Sequence, residues 1–336
     1  MGKIKVVLFK KKYFYQIFFI LTFLIFSGNA YAANRYWVAA DDGTTKYYHD
    51  SANWSHISGG AGGKSAPKLN DRVFFDDGST VDCVMHKKKS KAKVLKILSS
   101  YTGTVNLNGK RLVVAENIAL YGTLSLPANS ILQTKKKTSY IYNGGTLSAE
   151  NAKKIDIFSV LDIQDGGTFL APSTGQLFFR GGFRNYGTFT HNNGTVFFGP
   201  RDNSYQVVTS GTGTGKDFYN VTKLGAKSFK MNGDMQVNNF KIQRGKWDVF
   251  GNNMFVKGNW TTYVGNRFKD SKTGIVSTVT FNGSGNQTIL ANHTNSIPSF
   301  ENLTISNTGG VVSLSTKDVD IDNTLTIDSG ATLDIA

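Results

Sequence analysis

Only one cysteine, Cys83, occurs in the 336 residues. No internal disulfide braces the chain, so its stability must come from burial. Cys83 falls at an apolar position of the strand 80–85, with His86 on the opposite face. The five histidines, at 49, 56, 86, 191 and 293, are scattered without the His-x-x-x-His spacing of a metal centre. Acidic residues are scarce, 23 against 38 Lys and Arg, and mostly flank turns. That leaves little material for the paired carboxylates of glycoside chemistry. There is no Gly-x-Ser-x-Gly elbow for a serine esterase. The Gly-Gly-x-Gly-x-Asp nonapeptide of calcium-binding β-rolls is missing as well. After residue 32 no apolar stretch approaches the length of a transmembrane helix. No window longer than a turn or two has helical periodicity; the best, 149–154, is short and lacks an apolar face.

What the chain does have is a Gly-Thr pair that returns at nearly constant spacing. Gly103-Thr104, Gly122-Thr123, Gly145-Thr146, Gly167-Thr168 and Gly187-Thr188 are separated by 19, 23, 22 and 20 residues. Each pair opens a short alternating run, such as Gly122-Thr-Leu-Ser-Leu and Gly167-Thr-Phe-Leu-Ala. One turn glycine and one strand per ~20 residues is the signature of a solenoid, in which each unit completes its neighbour's core. A longer period overlies the first. The segment 218–223 (Phe-Tyr-Asn-Val-Thr-Lys) aligns with 300–305 (Phe-Glu-Asn-Leu-Thr-Ile), a shift of 82 residues. Nearly the same shift relates 194–199 to 277–283. At ~20 residues per coil, such a block holds about four coils. Turn dipeptides (Asn108-Gly109, Asn143-Gly144, Asp165-Gly166) punctuate the strands. The expected fold is all-β, a parallel β-helix with an N-terminal β-rich cap. Apolar residues at alternate positions stack inward, and Asn side chains ladder from coil to coil.

Three regions follow. Residues 1–32 read as a cleaved secretory signal: Lys3, Lys5 and Lys10 to Lys12 precede the apolar run 17–26, and Ala30-Tyr31-Ala32 supplies the cleavage site. Residues 33–100, with Trp37, Trp54 and the glycine-rich 58–63, read as the capping module. Residues 101–336 are repeat. Their last run, 324–336, stops in mid-pattern with no sorting signal or translocator; either the last coil is left bare or, the expectation preferred here, the chain is part of a longer protein.

The net charge is +15, and removing the five lysines of the signal leaves +10. Much of the excess sits in two runs: Lys87, Lys88 and Lys89 with Lys91 and Lys93, and Lys135, Lys136 and Lys137. Such runs serve as solvated loops that keep strand edges unpaired. They are also the candidate surface for an anionic partner, a glycan or a cell surface, with no sign of specific nucleic-acid reading. Trp247 and Trp260, with Tyr47 and Tyr48, are the candidates for stacking on sugar rings.

Tyr36-Trp37-Val38, Asn53-Trp54-Ser55, the glycine-rich 58–63, Pro67, Asn70-Asp71 and Val73-Phe-Phe-Asp76 form a set. It resembles the start of large repeat-rich bacterial surface proteins of the autotransporter-passenger, filamentous-haemagglutinin-like type. Gly258-Asn259-Trp260 and the Asn-x-Leu-Thr-Ile of 301–305 are similar to their repeat vocabulary. The resemblance covers nearly all of the chain after residue 32 and concerns architecture. It implies a secreted β-helix acting as an adhesin or surface-layer component. With no catalytic constellation in the residues themselves, the expected function is non-enzymatic and needs no cofactor.

The rival reading is a β-helix polysaccharide lyase or glycosidase. Its candidate residues are Asp162, Asp165 and Arg180, which adjacent coils could bring together. Asp318, Asp320 and Asp322 alternate on one strand face and raise Ca²⁺, although a solvated strand has the same pattern. The segment 211–216 (Gly-Thr-Gly-Thr-Gly-Lys) looks like a phosphate loop but has Ser210 where the first glycine belongs, and Asp217 in place of Ser or Thr.

Overall fold

The computed structural model describes residues 32–199, 206–263, 268–291, 297–315 and 318–335. Residues 1–31, on which the expected secretory signal falls, lie outside them. The chain winds into a parallel β-solenoid of about eleven turns. In its N-terminal half each turn visits three sheets, here numbered 1 (twelve strands), 2 (six) and 3 (sixteen). One turn runs through Val94–Ile97 in sheet 1, Thr104–Asn106 in sheet 2 and Arg111–Val114 in sheet 3. It re-enters sheet 1 at Ile118–Leu120, with Leu95 in register with Ile118.

The Gly-Thr pairs build sheet 2. Thr104, Thr123, Thr146, Thr168 and Thr188 pair in register from turn to turn. The next residue of each, Val105, Leu124, Leu147, Phe169 and Phe189, points inward and is fully buried. The glycine is demanded by backbone proximity. A Cβ on Gly145 would lie 2.2 Å from the Leu120 carbonyl oxygen of the preceding turn, and one on Gly167 2.5 Å from that of Ile141. Only a residue without a side chain lets successive turns close to the ~4.8 Å strand spacing at this corner.

The 82-residue repeat is a four-turn block. Thr195–Phe198 and Thr278–Phe281 lie four strands apart in sheet 3. Asn220 and Asn302, equivalent in that repeat, both belong to ladders. Asn239 Nδ2 donates to Asn220 Oδ1 at 2.8 Å, and Asn323 Nδ2 to Asn302 Oδ1 at 3.0 Å. Sheet 2 ends at Thr188–Thr190. Further on, sheet 3 divides at the long strand Met235–Ile242, whose first half pairs with Met254–Val256 and second half with Trp260–Thr262.

Stacked inward columns form one continuous core. It is aliphatic around Leu95, Leu112, Leu120 and Leu132 and becomes aromatic from Phe169 onward. At the N-terminal end Trp37 and Trp54 meet edge to face, 5.1 Å between ring centroids, both fully buried. Their indole N–H groups donate to the carbonyls of Val81 and Tyr48. Trp54–Ser55 pairs with Asn34–Trp37 in the one antiparallel pairing among the described strands, so the first turn does not present a free parallel edge there. Cys83 is fully buried, and burial pushes its thiol well above the usual range.

The solenoid begins earlier than residue 101. Arg72–Phe75, Cys83–Val84 and Lys89–Ala92 already supply strands to sheets 1, 2 and 3. This turn lacks a Gly-Thr pair, which is why the sequence period does not reach back to it. At the other end, Leu325 and Ile327 keep the inward register of Leu303 and Ile305. They are 44% and 47% exposed, where their partners are 1% and 0%.

Candidate functional site

Folding brings the two lysine runs onto one face. Lys87 and Lys88 sit at the corner entering the first strand of sheet 3, where Lys89 and Lys91 point outward and Ser90 and Ala92 inward. Lys135, Lys136 and Lys137 follow Ile131–Thr134, two turns along, at the opposite edge of the same sheet. A four-residue strand is roughly 13 Å long, so the runs flank a strip of about that width. Register adds cations that were not singled out in the sequence. Lys89 pairs with Arg111, Arg111 with Ile131, and Ile131 with Lys154. Lys110 and Lys153 continue the entering corner. Three of these four turns thus place a cation at this register position, and the turn of Ile131 has its cations, Lys135 to Lys137, at the other edge of the sheet. No single stretch of sequence contains that array, because its members are one turn apart.

Three acids interrupt it. Glu116 takes Lys137 at 2.8 Å and Lys93 at 3.8 Å, tying one residue of each run to a common carboxylate. The Lys137 contact, chiefly, holds Glu116 below the usual carboxylate range. Asp156 is nearly buried and binds Arg180 at 2.5 Å and Lys154 at 3.5 Å. Glu150 accepts from Ser148 at the entering corner. Lys87, Lys88, Lys89, Lys91, Lys135 and Lys136 have no acidic partner among the described residues and are exposed. Exposed cations of this kind keep their hydration and are free to meet an incoming anion. Elsewhere a lysine can be structural. Lys223 is fully buried, its ammonium donating to the carbonyls of Leu224, Gly225 and Arg244, and burial pushes it down to about 7.

The aromatic candidates are corrected. Trp247 and Trp260 are fully buried. Trp247 lies 5.1 Å from Phe240, and Trp260 4.7 Å from both Phe240 and Phe268. They belong to the core stack and offer no face to a sugar. Tyr48 is buried, and its hydroxyl donates to the Lys91 carbonyl, whereas Tyr47 is 40% exposed. A tyrosine column lies on the outside of sheet 1, at the corner before sheet 2, with Tyr121 and Tyr142 half-buried and Tyr186 exposed. Tyr121 and Tyr142 stack with centroids 4.2 Å apart and planes 4° apart, and Tyr186 occupies the equivalent position two turns on. A tyrosine stands just before the Gly-Thr pair in Tyr121-Gly122, Tyr142-x-x-Gly145 and Tyr186-Gly187, but also in Tyr101-x-Gly103, where the ring is buried, so the spacing alone does not give the direction.

Asp162, Asp165 and Arg180 do not assemble. Asp162 binds Arg184 at 3.4 Å and accepts from Gln164, Arg180 is committed to Asp156, and Asp165 is exposed. A cleft of about 450 Å³ near the N-terminal end contains Asp41, Lys46 and Asp82. Their groups are taken up locally, Lys46 by Asp42 at 2.5 Å and Asp82 by the Thr104 N–H at 2.7 Å. The phosphate-loop lookalike is a turn whose Lys216 ammonium donates to the carbonyls of Asn185 and Gly187. Among the described residues no group of three or more His, Cys, Asp or Glu could hold a metal ion. Asp318, Asp320 and Asp322 are exposed on the last long strand and its approach. No protein-family model matches the chain, and no curated protein or solved structure matches it either.

Proposed function

We propose that this chain is an exported β-solenoid of the bacterial-surface type that binds an anionic glycan or a negatively charged cell surface through sheet 3, without catalysis. One observation carries the reading. Two lysine runs remote in sequence flank a single strip, and Arg111 and Lys154 fill it in register. Affinity arises from many weak, repeated contacts along the axis, which adds up on a polyanion and not on a small anion. The signal segment and the resemblance of residues 36–76 to surface proteins support export and surface location.

The test is binding of the chain 33–336 to immobilised acidic and neutral polysaccharides at low salt and at ~1 M salt, where the screening length falls to about 3 Å. Salt-sensitive binding to the acidic polymer alone is expected. Equal binding at both salt levels, or equal binding to the neutral polymer, overturns the electrostatic reading. Turnover of the acidic polymer would restore the lyase or glycosidase alternative.

A further inference from the structure

A second surface, on sheet 1, has the chemistry of a sugar site. Its outward column runs Lys96, Ala119, Tyr140, Asp162, in register from turn to turn. Ala119 is the small member between two long ones. Two strand spacings, roughly 9–10 Å, separate the backbones of Lys96 and Tyr140, so a notch opens above Ala119. The resulting cleft has a volume of about 290 Å³, and Leu98, Ser99, Asn117, Tyr121 and Tyr142 complete its walls. That is near the lower end of small-ligand sites.

The walls divide by chemistry. Tyr121, Tyr142 and Tyr140 form a platform: Tyr121 stacks on Tyr142, and Tyr140 lies 5.3 Å from Tyr142 with planes 20° apart. Stacking holds the rings before any ligand arrives, so little side-chain entropy remains to be lost. Around the platform stand the Asn117 amide, the Ser99 hydroxyl and the Lys96 ammonium. Lys96 lies 5.9 Å from the Phe74 ring centre and has no acidic partner among the described residues. Flat aromatic faces suit the C–H side of a pyranose, while hydroxyl and amide groups suit its rim. An unpaired ammonium at one end selects a ring that carries a carboxylate.

We propose that this cleft is a saccharide site that seats one uronate residue, with its ring against Tyr121 and Tyr140 and its carboxylate at Lys96. The site stands apart from the lysine strip of sheet 3 and does not require it.

The probe is a uronate tetrasaccharide, compared with the neutral hexose tetrasaccharide, titrated into the chain 33–336 with tyrosine fluorescence and calorimetry as readouts. The wild type is expected to bind the uronate more tightly than the neutral sugar. Tyr140→Ala weakens both by roughly tenfold through loss of ring stacking. Lys96→Gln removes the preference for uronate while leaving neutral binding in place. Ala119→Leu fills the notch and abolishes binding, with thermal unfolding close to wild type because the added atoms point outward. Lys89→Gln with Lys91→Gln leaves tetrasaccharide binding unchanged, which separates this site from the strip. No uronate binding by the wild type overturns the proposal, as does undiminished binding by Ala119→Leu.

Discussion

Lys137 Nζ and the Glu116 carboxylate meet at 2.8 Å across one turn of the solenoid. Lys93, from the turn on the other side, reaches the same carboxylate. Glu116 therefore subtracts charge from the strip at the point where the two lysine runs converge. The pair is solvent-accessible and contributes little to stability, well under 1 kcal/mol. Glu116→Gln is expected to leave the unfolding temperature nearly unchanged and to tighten binding to an acidic polysaccharide at low salt. Weaker binding by Glu116→Gln would mean that the carboxylate is needed to position Lys93 and Lys137.

Charge reversal tests the strip itself. The triple variant Lys89→Glu, Lys91→Glu, Lys154→Glu should lose at least an order of magnitude in affinity for an acidic polymer at low salt and little at ~1 M salt. All three side chains point outward; Lys154 also pairs with the nearly buried Asp156, so the double variant Lys89→Glu, Lys91→Glu, which touches no acid, is the control whose circular dichroism should match wild type. Unaltered affinity at low salt would move the anionic partner to another face.

Trp260→Ala separates core from surface. Its ring packs on Phe240, Phe268 and Phe300. Removing it should cost about 3–5 kcal/mol in chemical unfolding. A change near zero would place the ring outside the core.

The Gly-Thr corner makes a steric prediction. Gly145→Ala drives a Cβ into the Leu120 carbonyl at 2.2 Å, whereas a Cβ on Gly285 meets nothing within 4 Å. Gly145→Ala should destabilise by about 1–3 kcal/mol, the usual cost of overpacking. Gly285→Ala should be near neutral. Equal effects would remove close turn-to-turn contact as the reason for the repeated glycine.

Acid should weaken the N-terminal turns through His49. Burial chiefly, and then the nearby His86 and Lys87, pushes His49 down to about 4. Its ring lies 5.1 Å from His86. The unfolded chain, titrating near 6.5, binds the extra proton first. Above ~6.5 both states are neutral and nothing is lost. Between ~6.5 and ~4 stability falls as pH falls, by about 1–2 kcal/mol after allowing for solvent screening of a partly exposed ring. His49→Gln should flatten this part of the stability–pH curve. An unchanged slope would assign the acid sensitivity to other groups.

The repeat period, the parallel sheets and the four-turn block were legible in the sequence because they are properties of spacing. Equal intervals between Gly-Thr pairs put Thr104 to Thr188 in one ladder whatever the rest of the turn does. Trp37 and Trp54 were legible as end plugs because they precede the period. Direction was not legible. Each corner contains a variable number of residues and resets the inward–outward alternation, so the parity that turns Trp247 and Trp260 inward and Tyr121 and Tyr142 outward cannot be counted across it.

By itself the sequence determined a solenoid of short strands, held by burial without disulfides and carrying a surplus of positive charge. Tertiary structure alone decided which of those charges and rings share a surface. Residues one turn apart in space are about 20 apart in sequence, and the angular position of each depends on the summed lengths of all preceding strands and corners. Lys93 and Lys137 therefore meet on Glu116, and Lys96 faces Tyr140 over Ala119, only once the turns are stacked.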